Sequence, residues 1–496
     1  MALLRYAFLF TRPIGTLICF VPDDAFYELQ LARHFVATGI WSFDSGFTST
    51  TGFHLFNVYL MSLFPWVLAD PLLALRVWMG VGIALSIASI FIICHFTERR
   101  FGALALLPVF LVLTSRFFQI SCSSILEFPF VIVLAAAYTT AGFSSRSEKS
   151  PGALVRIFLL GMLGSLVRSD FGGLPLAFVI ACAARFLWNR RHDFMAASLV
   201  GLCGAVAGLF LVSMHNFFLS GHLLSDSARV KALAGHRSGY SVMNSLLLTV
   251  LTVASSKVEF FLIFAIVGVG VLALVVASAL RERQGTSAQI AEPSGGDNYF
   301  LAGAGACAIV IYVLVYGFVP SIQPWYTANF VIPIVLVLSA CTQWSESRPM
   351  LRAAIVGAFV LALVPHLRNS YKPVWPHQRH MYEMSQYLAE HPPNGRMAGW
   401  NVGIVGYFLD GKVTNLDGLM NDQIYADIRD RTVEEYLDRS RIKYLVDFPR
   451  QINSADLGNM GGYDSLRIGR RVTALETKTS WRRDGEWLDY TLFRFR

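Results

Sequence analysis

The chain has 496 residues, of which 54% are hydrophobic and only 15% charged, and its net charge is +8. Its mean hydropathy of +0.51 lies far above that of water-soluble proteins, which excludes a cytosolic enzyme, a disordered tail and a secreted disulfide scaffold. The excess of 41 Lys and Arg over 33 Asp and Glu is what the cytoplasmic loops of a polytopic membrane protein carry, so no nucleic-acid partner is needed to explain it.

A crossing helix needs about 20 apolar residues. That rule predicts about eleven transmembrane spans, over residues 3–21, 77–96, 103–118, 125–142, 154–168, 171–188, 195–218, 258–280, 299–319, 325–343 and 350–367. Arg12 and Pro13 fall inside the first, where a charge costs about 2.5–3.5 kcal/mol, so a tilt or break is expected there. The loop 22–76 is far longer than a plain connection, and its apolar stretch 55–69, interrupted by Pro65, reads as an interfacial helix. The spans 154–168 and 171–188 are short and share Arg168 and Asp170 at their junction, which also suits a hairpin that does not fully cross. Arg99, Arg100, Arg146, Lys149, Arg190, Arg191, Arg281, Arg283 and Arg348 fall in connections that alternate with 119–124 and 320–324, which hold no Lys or Arg. The alternation puts the amino terminus in the cytoplasm and the carboxyl terminus outside an inner cell membrane crossed many times.

The chain therefore divides into a transmembrane module, 1–367, and a polar tail, 368–496. Alternating runs at 443–447 (KYLVD) and 488–495 (LDYTLFRF) make the tail an extracytoplasmic α/β domain. Six of the seven cysteines lie in apolar stretches and Cys122 lies near the end of one; with no CxxC they read as buried hydrophobes. The stretch 284–298 is a flexible cytoplasmic loop.

The sharpest chemical feature is Asp23-Asp24, two carboxylates directly after the first span and behind Pro22. Such a pair is either an acidic first turn favoured by the helix dipole, or an acid/base site in which one Asp takes a proton while the other positions it or helps hold a divalent cation. Asp24 and Glu28, four apart, share a helix face, which makes Glu28 a third carboxylate of the site or merely surface. Glu127 lies near the outer end of a span, a costly place for an ionisable group and so a functional candidate, unless it is a protonated carboxyl in a helix contact.

Asp23-Asp24-Ala25-Phe26-Tyr27, Leu31-Ala32-Arg33, Phe43-Asp44 and Thr51-Gly52-Phe53-His54 together resemble the first extracytoplasmic loop of GT-C-fold glycosyltransferases, in the bacterial branch with a DDAFYY…AR…TNGFHPLW pattern. Ile125-Leu126-Glu127, Leu166-Val167-Arg168-Ser169-Asp170, Asn216 through Lys231, Gln323-Pro324-Trp325-Tyr326 and Asn415-Leu416-Asp417-Gly418-Leu419 are similar to later islands of that branch. The resemblance implies a helical membrane fold with its active site under an outward domain, a polyprenyl-phosphate sugar donor, and an acidic residue of the first loop acting on the acceptor, here Asp23 or Asp24. The chain departs from the pattern at Glu28 (usually Tyr), Thr51 (usually Asn), Leu55 (usually Pro) and Ile125-Leu126 (usually Gly-Met), differences that bear on the acceptor pocket.

Moving a sugar off a phosphate requires a base for the acceptor hydroxyl, carboxylates for an oxocarbenium-like ring and cations for the leaving phosphate. The expected catalytic residues are Asp23, Asp24 and Glu127. Lys231, Arg229 and Arg168 are the substrate-binding cations, with Lys231 preferred for its motif position, and the alternative for each is anchoring to anionic lipid headgroups. Arg237 shares their side of the membrane. His54 and Tyr27 are further substrate contacts, although a lone His beside Phe53 and Phe56 is more often a packed residue. A divalent cation, Mg2+ or Mn2+, would fall to Asp23 and Asp24, but they form no DxD and no His/Cys set joins them. The partners expected are the lipid donor, membrane lipids and an acceptor that is a lipid, glycan or protein. The rivals are a lipid-glycan transporter or flippase, which usually has repeats and midplane charges, and a non-catalytic scaffold of the cell envelope.

Overall fold

The computed structural model describes residues 2–496 except 115, 144–149, 190–193, 238–294, 317–325, 327, 346–356, 358–371 and 480–488. The predicted span 258–280, and 350–367 apart from Gly357, lie outside the described residues. So do Arg146, Lys149, Arg190, Arg191, Arg281, Arg283, Arg348 and the Pro324-Trp325 pair.

The first predicted span is not one helix. Ala2–Phe10 stops before Arg12 and Pro13, and the chain restarts as Ile14–Leu17 followed by the 3-10 turn Ile18–Phe20. A proline ring removes an N–H and collides with the carbonyl four residues back, so a continuous helix cannot pass Pro13. The second is longer than expected: Pro71–Phe101 has 31 residues, with Pro71 at its start, Asp70 capping the amides of Leu72 and Leu73, and Gly102 at φ 84° ending it. The third begins as a 3-10 turn, Ala103–Ala105, and continues in the short helices Leu106–Thr114 and Arg116–Cys122.

Among the described residues four helices are long and apolar enough to cross a membrane: Pro71–Phe101, Ser169–Leu187, Met195–Ser220 and Asp297–Tyr316. Phe128–Phe143, Pro151–Val167 and Ala328–Thr342 are apolar but shorter. The tightest pairing joins Pro151–Val167 to Met195–Ser220. A Cβ on Gly161 would sit 2.3 Å from the Gly201 carbonyl oxygen, and one on Gly204 or Gly208 would sit 2.1 or 2.3 Å from the carbonyls of Phe158 and Met162. Glycines four apart let two backbones touch, which matters most where no hydrophobic effect presses helices together.

The loop before Pro71–Phe101 folds into Asp23–Thr38 and then Leu55–Ser62 and Pro65–Leu68, the last two parted at Pro65. The carboxy-terminal region forms a five-stranded sheet, β1 (Arg396–Gly399), β2 (Val413–Asn415), β3 (Ile442–Asp447), β4 (Val472–Lys478) and β5 (Tyr490–Phe495), in the order β2-β1-β3-β5-β4. β1 runs parallel to β2 and β3, while β5 runs antiparallel to β3 and β4. Both alternating runs of the sequence are strands of this sheet, β3 and β5. All seven cysteines are free.

The sheet domain sits directly on the first loop. Ser45 Oγ donates to the Asp410 carbonyl at 2.7 Å, Thr414 Oγ1 to Asp44 at 3.1 Å, and a Cβ on Gly52 would lie 1.4 Å from the Leu419 carbonyl oxygen.

Candidate active site

The helix Asp23–Thr38 follows Pro22, which is extended at ψ 151°, and its first turn carries Asp23 and Asp24. Negative charge is favoured there by the helix dipole. Side chains four apart share a face, so Asp23 aligns with Tyr27 and Asp24 with Glu28.

Asp23 and Tyr27 grip the sheet domain. Asp23 accepts from the amides of Gly403 at 3.1 Å and Ile404 at 2.7 Å. The Tyr27 hydroxyl donates to the Trp400 carbonyl at 3.2 Å and accepts from the Val402 amide at 3.0 Å and Asn415 Nδ2 at 3.1 Å. Burial pushes the Asp23 carboxyl up to about 7 against the pull of those two amides, with the neighbouring charge of Asp24 adding to the rise.

Asp24 and Glu28 instead line a cavity of about 370 Å³, whose wall also includes His54, Arg168, Lys231 and Leu419. Tyr27 reaches its edge. Burial raises the Asp24 carboxyl, Lys231 and His54 oppose the rise through their charge, and Glu127 adds to it. Lys231 lies on the helix Asp226–Arg237 and donates to the Tyr326 hydroxyl at 2.6 Å. Burial works against its charge, but Tyr326 and Asp24 outweigh it and hold the ammonium protonated.

Below Asp24 the groups form a chain. His54 Nδ1 lies 2.5 Å from Glu28 Oε1 and 3.3 Å from Glu127 Oε2, and Asn57 Nδ2 donates to Glu28 Oε2. Burial alone would keep the His54 imidazole neutral; Glu127 and Glu28 reverse that and raise its pKa. Glu28 is itself raised by burial, with His54 opposing. Arg168 donates to Glu127 Oε1 and, through Nε, to both oxygens of Asp170 at 2.8 and 3.0 Å. Asp170 also accepts from the Tyr316 hydroxyl at 2.5 Å and Asn329 at 2.8 Å. Glu127 is fully buried, in a turn opened by Ile125 at φ 66°. A β-branched residue is strained in that region and stays there only where its surroundings over-determine it.

Of the residues singled out in the sequence, Asp24, Glu127, His54, Arg168 and Lys231 gather in or against the cavity, with Tyr27 at its edge. Asp23 turns to the sheet domain. Arg229 is also turned away, pairing with Asp226 at 3.3 Å and stacking on the Tyr425 ring at 3.8 Å, and Arg237 donates to the Arg429 carbonyl at 2.6 Å. Asp23 and Asp24 thus share no focus for an ion. Among the described residues, the group whose ligand atoms converge is Glu28, His54 and Glu127, all within 4.8 Å of one another. Asn57, Tyr316 and Asn329 carry no sequence signal beyond ordinary polar residues in apolar stretches; only the fold brings them here.

A family described as "Domain of unknown function (DUF8728)" matches residues 369–493, the sheet domain. No curated protein matches the chain by sequence. Solved structures do resemble it. ArnT from Cupriavidus metallidurans bound to undecaprenyl phosphate is similar over 99% of this chain and 97% of that one, at 11% identity and a TM-score of 0.54. The same protein in its apo state covers 100% and 98%, at 12% identity and 0.52. The Archaeoglobus fulgidus oligosaccharyltransferase in complex with Zn and sulfate covers 94% of this chain and 69% of that one, at 12% identity and 0.51. At these identities the likeness is one of architecture, and it shows that the chain is built on the GT-C fold that its sequence resembles.

Proposed function

We propose that the protein is a membrane glycosyltransferase that moves a sugar from a polyprenyl-phosphate donor to an acceptor hydroxyl on the extracytoplasmic face of an inner cell membrane. The observation that carries this reading is the meeting on one cavity wall of Asp24, a half-buried carboxylate with a raised pKa, and Lys231, a half-buried ammonium held in its charged form. A base and a phosphate-binding cation are what the transfer needs. That ArnT binds undecaprenyl phosphate in the same fold supports a lipid-phosphate donor. In this reading residues 1–367 form the membrane module, with the amino terminus in the cytoplasm, and 368–496 an extracytoplasmic domain that roofs the cavity through Leu419 and Met420.

The acceptor hydroxyl passes its proton to Asp24 while its oxygen bonds the anomeric carbon. The bond from that carbon to the phosphate oxygen breaks, and the polyprenyl phosphate leaves with the electron pair, its new charge met by Lys231. Arg168 is already held by Glu127 and Asp170, so it contributes a fixed positive field rather than a free donor set. Asp23 acts by seating the helix that carries Asp24. The acceptor is a lipid, glycan or protein hydroxyl.

The test is transfer by purified full-length protein, assayed with a panel of polyprenyl-phosphate sugars. Asp24→Asn should lower turnover by about 100-fold or more, the range a general base supplies, while leaving donor binding intact. Unchanged turnover in that variant, or no transfer from any lipid-phosphate sugar, refutes the reading.

A further inference from the structure

Three elements far apart in sequence deliver Glu28, His54 and Glu127 to one place, and the hydrogen bonding there is incomplete. His54 Nδ1 carries at most one proton, and its short 2.5 Å contact assigns that proton to Glu28 Oε1. Glu127 Oε2, 3.3 Å from the same nitrogen and fully buried, has no hydrogen-bond partner among the described residues, and neither has the buried Oδ1 of Asn57. Buried oxygens without donors are rare and call for an explanation. The charge is incomplete as well. Among the described residues, Glu28, Glu127 and Asp170 meet one guanidinium, Arg168, while Lys231 is answered by Asp24, so two positive charges are wanting. A protonated His54 supplies one, whereas a divalent cation on a neutral imidazole supplies both.

We infer that Glu28, His54 and Glu127 form a binding site for a first-row divalent cation of the Zn2+ or Mn2+ type, with Asn57 Oδ1 as a further oxygen ligand. One imidazole nitrogen and two carboxylates suit these ions, whereas Mg2+ prefers oxygen ligands throughout. Bonds of about 2.1 Å set ligand atoms roughly 3.4 Å apart. Glu127 Oε2 and His54 Nδ1 already stand at 3.3 Å, and the Glu28–His54 contact opens once the ion replaces the proton between them. Arg168 on Glu127 Oε1 and Asn57 Nδ2 on Glu28 Oε2 each hold the second oxygen of a ligating carboxylate, the outer support that fixes ligand orientation. The cavity reaches Glu28 and His54 and gives the ion its path of entry. The site stands whether or not sugar transfer is the reaction.

The experiment uses the full chain in detergent micelles, stripped with chelator and titrated with Zn2+ alone and Mn2+ alone. The expected result is one equivalent bound per chain and, for Mn2+, a pulsed-EPR coupling to a single imidazole nitrogen. His54→Ala and Glu28→Gln should each weaken binding by more than the roughly 10–100-fold that loss of a supporting contact costs. Asp24→Asn, which removes a neighbouring charge but no ligand, should keep the bound equivalent and its nitrogen coupling and lose less affinity than either ligand variant. No bound equivalent, or bound Mn2+ without nitrogen coupling, overturns the site, and this measurement on the unmodified chain decides even if the variants fold poorly. Affinity unchanged in a folded His54→Ala variant also overturns it. Loss of transfer in Asp24→Asn with the ion retained separates the two proposals, since either then fails without the other.

Discussion

Adjacent aspartates in a helix point about 100° apart, and that angle separates their roles here. Asp23 is spent on two backbone amides of the sheet domain, whereas Asp24 faces the cavity and meets Lys231 and His54 through charge. Because burial raises the Asp24 carboxyl above its ordinary 3.8, the base loses activity on acidification sooner than an exposed aspartate would. Turnover should therefore rise with pH along a limb set above the usual carboxylate range. In Lys231→Met, which removes the largest charge opposing the rise, that limb should move further toward alkaline pH. A limb that stays in place in this variant separates Asp24 from the proton transfer. The doublet itself is plain in the sequence. Which member faces a cavity is not, because that depends on where a domain almost 400 residues later is seated. Glu28, His54 and Glu127 are individually visible, yet their convergence is not, since local patterning carries no information about which loops meet.

At the scale of elements, the hydrophobic pattern locates apolar helices well but misplaces their ends. Pro71–Phe101 runs past the predicted 77–96 because Asp70 caps it in a loop and Arg99 and Arg100 suit its last turn. The first span breaks at Pro13, a break that its charge and proline announce. The turn before Glu127 has no such signal, since Ile125 at φ 66° is the opposite of what a left-handed position prefers. Ile125→Gly relieves about 1–3 kcal/mol of backbone strain, but it deletes a side chain that is only 3% exposed, and such losses cost roughly 2–5 kcal/mol. Packing wins, so the variant should melt at a lower temperature in detergent despite its easier backbone. A raised Tm would mean that the strained turn, not the packed side chain, dominates the local energy.

At the scale of the whole molecule, the half-buried carboxylate of Asp23 ties the amino-terminal helices to the sheet domain. Asp23 is pushed up to about 7 and Asp417, beside the cavity, to about 8, both chiefly by burial. Each binds its proton more tightly folded than unfolded, where the value is 3.8. Their contribution to stability is therefore full below about pH 4 and is lost as pH rises through 7 and 8. Denaturant melts of the full chain should show stability falling from pH 5 to pH 8, and Asp23→Asn should reduce that fall; an equal fall in both proteins rules out Asp23 as a source. The pairing of Asp23 with Tyr27 has one more consequence. Two pins a turn apart stop a shaft from spinning, so the bearing of Asp24 is set by its neighbours' grip, and no side chain among the described residues ties up the lone pairs it offers a guest.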